Sequence, residues 1–220
     1  MINHLSKFLH YLASYEEVDN ETIPALNQLS DDLEINRAAL REDLAVARAL
    51  GLVAVKPRIG TRRLPYTFTP ALRQSLGYAI LHDNTYFKKY SDLRNHVESA
   101  YFREAVCKLL PEDIQELKDL LERAWDKLRG NPVQIPHEEH RDLHLIMYRR
   151  LENVFVSGIL EAYWEAYEAV GLNVFTDYQY LTNVWEYHSG MVDAIAKGDF
   201  DQGYTLLMEH TELIAARPNL

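Results

Sequence analysis

Apolar residues recur every three or four positions through most of this chain, which is the period of an amphipathic helix. Beyond residue 70 there is almost no strand-like alternation, and helix breakers such as Pro111 and Gly198-Asp199 divide the pattern into segments. The segments lie at 71–82, 86–110, 112–129, 137–151, 154–171, 177–197 and 200–216. They predict an all-helical bundle of six or seven helices.

The first 66 residues follow a different pattern. Apolar residues at helical spacing predict one helix over Leu5–Leu12 and a second over Ala25–Leu33. Asn36 is a good N-cap for a third helix, which Gly51 ends. Residues 52–64 are β-prone around a turn and predict a short hairpin. Three helices followed by a hairpin are the order of a winged helix-turn-helix.

The stretch from Pro65 to Pro70 interrupts the helical pattern between these two regions. A length of 220 residues suits one large domain or two modest ones. We therefore predict a mainly α chain with three parts. Residues 1–66 form a winged helix-turn-helix domain, residues 67–77 a linker and the start of a connecting helix, and residues 78–220 an all-helical domain.

Charge is divided unevenly between the two ends of the chain. The formal net charge is −10, but residues 1–75 hold nine cationic and nine acidic side chains, so the whole excess lies beyond them. Between Asp43 and Asp83 there is no acidic residue, while six Lys or Arg residues fall there. A cation-only segment in an acidic protein predicts a surface for phosphate, and hence a DNA partner.

Candidate DNA contacts lie at the start of the third helix and in the hairpin. The third helix of a helix-turn-helix enters the major groove, and its first residues meet base edges. Arg37 and Arg41 lie one turn apart on one face, where arginine can hold guanine or a phosphate. Alternatively, both pair with Glu34 or other acids on a solvated helix. The predicted contacts are Asn36, Arg37, Arg41, Lys56, Arg58, Gly60, Thr61 and Arg62.

Four of the nine histidines have an orderly spacing. His140 and His144 are an i, i+4 pair on one helix face. His188 and His210 are equidistant from residue 199, the predicted turn of an antiparallel helical hairpin, so their rings can meet at one height. Converging imidazoles suit zinc, nickel, copper or iron, of which we predict zinc or nickel, and an open coordination position admits a small anion. The alternative is four unrelated surface histidines.

Arg94 and Glu98 form another i, i+4 pair, inside an otherwise apolar helix. An arginine drawn into a bundle interior is a natural clamp for the carboxylate of a ligand. An internal Arg–Glu salt bridge explains the pair equally well. The aromatic residues Tyr163 and Trp164 are predicted to belong to the core rather than to a ligand site.

Short motifs of the N-terminal region carry a family resemblance. They are Ile23-Pro24, Leu29-Ser30, Leu33-Glu34-Ile35-Asn36-Arg37, Leu40-Arg41-Glu42-Asp43-Leu44, Leu50-Gly51-Leu52-Val53 and Gly60-Thr61. In these positions the chain resembles the GntR superfamily of bacterial transcription regulators, although Glu34 stands where that family usually has glycine. The resemblance implies that Arg37 and Arg41 contact DNA and that the wing tip at Gly60 enters the minor groove.

The C-terminal region is similar to the all-helical effector domain of one GntR branch, the FCD domain. That domain has a D-x-x-x-H motif, an Asn nine residues after the His, and two later histidines; here His144, Asn153, His188 and His210 match, and His140 replaces the Asp. Arg94 and Glu98 match its R-x-x-x-E motif. The resemblance implies a metal centre at His140, His144, His188 and His210, and a small organic acid bound near Arg94, Glu98 and Asn153.

The prediction is a ligand-responsive, DNA-binding transcriptional regulator that is not an enzyme and that binds a palindromic operator as a homodimer. The single Cys107 and the lack of a long apolar run predict a cytoplasmic protein without a membrane partner. A rival class is a His-ligated metalloenzyme acting on a small organic acid. A third reading is a regulator that keeps its metal only for structure.

Overall fold

The computed structural model describes residues 4–14, 22–171 and 177–215. The chain divides into two compact units, Met1–Gln74 and Ser75–Leu220, with the boundary inside a helix. The predicted fold class, mainly α, is confirmed. Within the described part of the chain, every helix is too short or too polar to cross a lipid bilayer.

The N-terminal unit is a winged helix-turn-helix. Its elements are α1 (Lys7–Ser14), β1 (Thr22–Ile23), α2 (Leu26–Asp32), α3 (Arg37–Ala49), β2 (Val53–Lys56) and β3 (Gly60–Arg63). The strands form one antiparallel sheet in the order β1-β3-β2. The helices pack through the apolar stripe of each, and the buried core consists of Phe8, Leu12, Ile23, Leu29, Leu40, Ala47 and Val53.

The turn between α2 and α3 is tight although glutamate occupies its left-handed position. Glu34 has φ +52, a conformation that glycine adopts more readily. The N–H of Ile35 donates to Ser30 O at 3.1 Å and that of Glu34 to Asp31 O at 3.4 Å, the hydrogen bonds of a Schellman motif. The Ser30 hydroxyl also donates to Ile35 O at 2.6 Å. The turn therefore keeps its hydrogen bonds without the glycine of the GntR pattern.

Gly51 ends α3 as the sequence predicts, and two independent constraints require glycine there. Its backbone is left-handed, with φ +71, and a Cβ at this position would lie 2.5 Å from Pro70 Cγ. We expect Gly51→Ala to lower the free energy of unfolding by about 2 kcal/mol, because an L-residue in this conformation costs about 1–2 kcal/mol and the added methyl overlaps Pro70. Urea unfolding measures the loss.

The matched control is Gly171→Ala. Gly171 has a similar φ of +77, but among the described residues no atom beyond its neighbours in the chain lies within 4 Å of its would-be Cβ. Gly171→Ala should therefore lower the free energy of unfolding only by the cost of the left-handed backbone, about 1 kcal/mol. Equal losses at the two positions would contradict the packing argument at Gly51.

The C-terminal unit is the predicted helical bundle. The remaining helices are α4 (Thr69–His82), which crosses the boundary between the units, α5 (Thr85–Val106), α6 (Pro111–Arg129), α7 (His137–Tyr148), α8 (Val154–Ala169), α9 (Tyr178–Ala196) and α10 (Phe200–Ala215). Large apolar side chains from α5 to α10 form its core, among them Phe102, Leu143, Leu160, Trp185 and Leu207. Helix α5 ends four residues earlier than predicted.

Asp113 fastens the C-terminal end of α7 to the first turn of α6. Its carboxylate is fully buried and accepts hydrogen bonds from Leu110 N at 2.9 Å, from Arg150 Nε at 2.8 Å and from Arg149 Nη1 at 3.3 Å. Hydrogen bonding to Arg150 holds the pKa of Asp113 below its ordinary value against the opposing effect of burial. The contact ties the two residues that follow α7, the helix of His140 and His144, to the start of α6.

Asp113→Asn should lower the free energy of unfolding at pH 7 by about 1–3 kcal/mol, because the charge-assisted bonds to Arg150 are lost. The folded-state pKa of Asp113 is depressed, so its contribution is complete above about pH 5 and is lost as the pH falls through the folded pKa. The gap between wild type and variant should therefore close below about pH 4. Urea unfolding from pH 7 to pH 3 measures it. A gap that stays constant with pH would contradict the assignment, and exposed Asp126→Asn is the control.

Candidate metal centre and nucleic-acid interface

The structure brings together the four histidines singled out from the sequence. One ring nitrogen from each of His140, His144, His188 and His210 lies within 4.8 Å of the others. The ring centroids of His188 and His210 are 4.4 Å apart, and those of His140 and His188 are 4.7 Å apart. His144 Nε2 lies 3.3 Å from His188 Nε2. The four side chains form a histidine cluster in the interior of the C-terminal unit.

Three helices supply the cluster. His140 and His144 leave one face of α7, while α9 and α10 form an antiparallel hairpin around Gly198. Gly198 has φ +75, and the N–H of Asp199 closes the turn on Ala194 O at 2.9 Å. Because His188 and His210 are equidistant from residue 199, this turn sets their rings side by side.

Burial favours the neutral form of the four imidazoles. His144, His188 and His210 have no exposed surface. Burial, reinforced by the neighbouring charges, lowers the pKa of His140, His188 and His210 well below the ordinary value. Burial also lowers the pKa of His144, although Glu98 opposes that effect. Neutral imidazoles are the form that coordinates a metal ion.

Several nitrogens of the cluster fit a bound cation. Four ring nitrogens are buried and have no hydrogen-bond partner within the described part of the chain: His140 Nε2, His188 Nδ1 and both nitrogens of His210. Buried polar atoms in folded proteins nearly always have a partner, so an unsatisfied set of this kind calls for one. Four imidazoles without a thiolate or carboxylate suit zinc, nickel or copper rather than magnesium or calcium. The donor set therefore fits the predicted transition metal.

Arg94 and Glu98 lie on α5 directly beside the cluster. Both side chains are fully buried, and Arg94 Nη2 is 2.9 Å from Glu98 Oε1. Both atoms are 3.0 Å from His144 Nδ1. Burial disfavours the Glu98 carboxylate, but Arg94 and His144 outweigh it and hold the pKa of Glu98 below its ordinary value. The salt bridge that was the alternative to a ligand clamp is thus formed, next to the histidine ring.

Asn153 and the aromatic residues have different surroundings. The Asn153 side chain accepts from the N–H groups of Phe155 and Val156 and caps α8, and none of its described hydrogen bonds reaches the cluster. Trp164, predicted as core, is buried with its ring 4.7 Å from His140, and Arg94 lies over Tyr163 and Trp164. Sequence reasoning missed that Glu98 contacts His144 and that Trp164 borders the cluster.

The predicted DNA contacts of α3 lie on an exposed face. Asn36 caps the helix by accepting from Ala39 N at 2.9 Å. Arg37 and Arg41 follow on the first two turns and are exposed. Within the described residues, no salt bridge joins either arginine to Glu34 or to another acid. These contacts therefore do not support the alternative in which Arg37 and Arg41 form salt bridges with nearby acids on a solvated helix.

The wing is the β2–β3 hairpin. Lys56 and Arg58 are exposed at its tip, where Arg58 has φ +64 and Gly60 φ +109. Thr61 and Arg62 lie further along β3 and are half-buried. Thr61 pairs with Ile23 and Val55 in the sheet and is less exposed than Lys56, Arg58 and Gly60.

Known proteins share this architecture. The FCD domain family matches residues 90–213 of the chain. A Bacillus subtilis (strain 168) protein described as an uncharacterized HTH-type transcriptional regulator, YcbG, is 22% identical over 216 residues, which cover 96% of this chain and 86% of that protein.

Two solved structures share the fold over nearly the whole chain. The structure of a Streptococcus agalactiae GntR is similar with a TM-score of 0.69 at 16% identity. The match covers 94% of this chain and 95% of the Streptococcus agalactiae chain. A second structure is that of Lar, described as controlling expression of the Listeria monocytogenes agr system. It has a TM-score of 0.50 at 14% identity, and the match covers 95% of this chain and 93% of the Lar chain.

A winged helix-turn-helix followed by an all-helical domain defines the class of two-domain transcription regulators. Within that class the chain belongs to the FCD domain family, and it is a transcriptional regulator of the GntR superfamily in the FCD branch.

Proposed function

We propose that this regulator binds a transition metal through His140, His144, His188 and His210 and a small organic acid beside Arg94. Occupancy of this site controls operator binding by the N-terminal unit. The convergence of four imidazoles, three of them fully buried, with unsatisfied nitrogens carries the proposal. Zinc or nickel is the expected ion, held by imidazole nitrogens. When bound, it supplies a Lewis-acidic centre for an anionic ligand.

Arg94 supports the choice of a carboxylate ligand. Its guanidinium is fully buried next to His144. Nη2 pairs with Glu98 and Nη1 donates to Asn95 Oδ1 at 3.1 Å, whereas Nε has no hydrogen-bond partner among the described residues. A charge-assisted hydrogen bond from a guanidinium to a carboxylate is shorter and stronger than one between neutral groups. A buried arginine with an unused donor is therefore suited to an organic acid that enters the cluster.

The DNA-binding half of the proposal rests on α3 and the wing. The exposed arginines Arg37 and Arg41 would meet base edges or phosphates in the major groove. Lys56 and Arg58, which are also exposed, would contact the backbone or the minor groove. A homodimer would present two such surfaces to the half-sites of a palindromic operator. We assign DNA binding to residues 1–66 and effector binding to residues 78–220.

Coupling between the two sites follows from linkage. An organic acid that prefers one arrangement of the chain shifts the population toward it, and operator affinity changes by the same factor by which DNA changes acid affinity. The usual coupling free energy is about 1–3 kcal/mol, so operator affinity should change by roughly 5- to 150-fold.

The test measures operator binding with and without candidate effectors. A duplex selected in vitro with the wild-type protein is labelled, and fluorescence anisotropy gives its Kd at fixed salt. Acetate, pyruvate, lactate, malate and citrate are then added to protein loaded with zinc or nickel. At least one acid should shift the Kd by about fivefold or more, and chelating the metal should abolish the shift. A Kd that no acid changes would contradict ligand control while leaving DNA binding intact.

A further inference from the structure

Glu98 contacts His144 of the histidine cluster. Neither a salt bridge to Arg94 nor the binding of a ligand carboxylate needs this contact. Glu98 Oε1 lies 3.0 Å from His144 Nδ1 and 2.9 Å from Arg94 Nη2, with both glutamate and histidine fully buried. The other carboxylate oxygen, Oε2, has no hydrogen-bond partner among the residues that the structure describes. The carboxylate thus places one oxygen between a guanidinium and an imidazole of the histidine cluster.

An ionised carboxylate can only accept hydrogen bonds, so its contact with Nδ1 is favourable when Nδ1 carries the proton. A neutral imidazole has one N–H, and Nε2 of His144 then keeps its lone pair. That nitrogen is the one on the cluster side, 3.3 Å from His188 Nε2. The hydrogen bond to Glu98 therefore leaves His144 ready to coordinate.

In the opposite tautomer of His144 the proton lies on Nε2, and the bare Nδ1 has a different hydrogen-bond partner within reach. Arg94 Nη2 is also 3.0 Å from His144 Nδ1 and could donate to it if that nitrogen were bare. The Nδ1 lone pair would then face Glu98 Oε1, acceptor against acceptor, in a buried site. With the proton on Nδ1, both donors share Oε1, which has two lone pairs. The shared oxygen favours the tautomer that frees Nε2.

We propose that Glu98 is a positioning residue of the metal centre, which fixes the His144 tautomer by accepting from Nδ1–H and so turns the Nε2 lone pair toward the other three histidines. This inference rests on the proposed metal binding and assigns Glu98 to His144 rather than to the organic acid. Metal-binding histidines commonly donate their second N–H to a carboxylate, and losing that partner lowers metal affinity by about 10- to 100-fold.

The backbone of Glu98 is held independently of its side chain. The hydroxyl of Tyr148, one turn beyond His144 on α7, donates to Glu98 O at 2.9 Å. This bond joins α5 to α7 at the level of the Glu98–His144 contact. A side-chain substitution at Glu98 therefore removes the carboxylate without removing that tie between the helices.

Two variants separate the hydrogen bond from the buried charge. Glu98→Gln keeps the shape and a carbonyl acceptor, and its cobalt affinity should fall less than about tenfold. Arg94→Met/Glu98→Met removes the acceptor without leaving a lone buried charge. Folded proteins generally tolerate the replacement of a buried ion pair by apolar residues. Its cobalt affinity should fall by about 10- to 100-fold. The control is Arg103→Gln/Asp201→Asn, which removes an exposed salt bridge between α5 and α10.

Two readouts are needed. Cobalt titration followed by d–d absorption gives the metal affinity, and ¹⁵N NMR of histidine-labelled, metal-free protein gives the tautomer of His144. Wild type and Glu98→Gln should carry the proton on Nδ1, whereas the double methionine variant should lose that preference. A wild-type His144 protonated on Nε2, or a double methionine variant with unchanged tautomer and affinity, would overturn the proposal. If wild type takes up no cobalt, the metal function fails, and the NMR reading still decides whether Glu98 fixes the tautomer.

Discussion

Replacing His144 and His188 together by alanine should remove stoichiometric metal from the purified protein. Structural zinc sites with four ligands bind with apparent free energies of about 10–16 kcal/mol, so losing two ligands should weaken zinc binding by roughly 10⁴-fold or more. The two rings come from different helices, α7 and α9, and their Nε2 atoms are 3.3 Å apart. Competition with a chromophoric chelator measures affinity, and mass spectrometry of the metal measures content.

The matched control removes two histidines outside the cluster. His82 stacks on Tyr78, and the His96 side chain is 75% exposed. His82→Ala/His96→Ala should retain wild-type metal content. Full metal content in His144→Ala/His188→Ala, with the helical circular dichroism of wild type, would remove these two residues from the site.

Arg37→Ala/Arg41→Ala should weaken operator binding by roughly 2–6 kcal/mol, because each arginine that reads a base is worth about 1–3 kcal/mol. Both side chains are exposed on one face of α3, so truncation should leave the fold intact. Arg58→Ala in the wing should instead weaken all sequences alike and reduce the salt slope by about one. Fluorescence anisotropy over a series of salt concentrations distinguishes the two effects.

Arg123→Ala is the control for these variants. Arg123 is an exposed cation of α6 in the C-terminal unit, so its loss changes net charge by the same amount as any single arginine truncation. Its operator affinity should stay within about 0.5 kcal/mol of wild type. If the α3 double variant binds the selected operator as tightly as this control, α3 is not the recognition helix.

Most helices of the bundle could be predicted because each buries one apolar face. The period of 3.6 residues is local information, and it located α6, α8 and α10 within two residues at each end. Helix α5 was overextended because Leu109 continues the apolar spacing beyond Val106, and Leu109 packs against the core without being helical. Periodicity reports which face is buried, and hydrogen bonding decides where the helix ends.

Strand β1 was missed for a different reason. It has two residues, too few for an alternating pattern, and its partner β3 lies almost forty residues further along the chain. The sequence analysis placed no element between the first two predicted helices, Leu5–Leu12 and Ala25–Leu33, and residues 15–21 of that interval lie outside the described part of the chain. Short strands whose pairing is non-local carry no local signal, so only the folded sheet reveals them.

Part of the histidine cluster could be predicted because two of its residues are symmetric about the turn between α9 and α10. The equal distances of His188 and His210 from residue 199 place their rings together once the hairpin forms. The contact between Glu98 and His144 depends on how α5 and α7 are rotated about their axes, which no spacing along the chain specifies. Sequence could therefore name the imidazoles and Glu98, but it could not predict that Glu98 contacts His144.

The most direct test of the metal centre is a crystal of the zinc-loaded protein measured on both sides of the zinc absorption edge. We predict one strong anomalous peak inside the C-terminal unit, at about 2.0–2.1 Å from a nitrogen of each of His140, His144, His188 and His210. A peak held by other residues, or no peak in the cluster, would contradict the central claim.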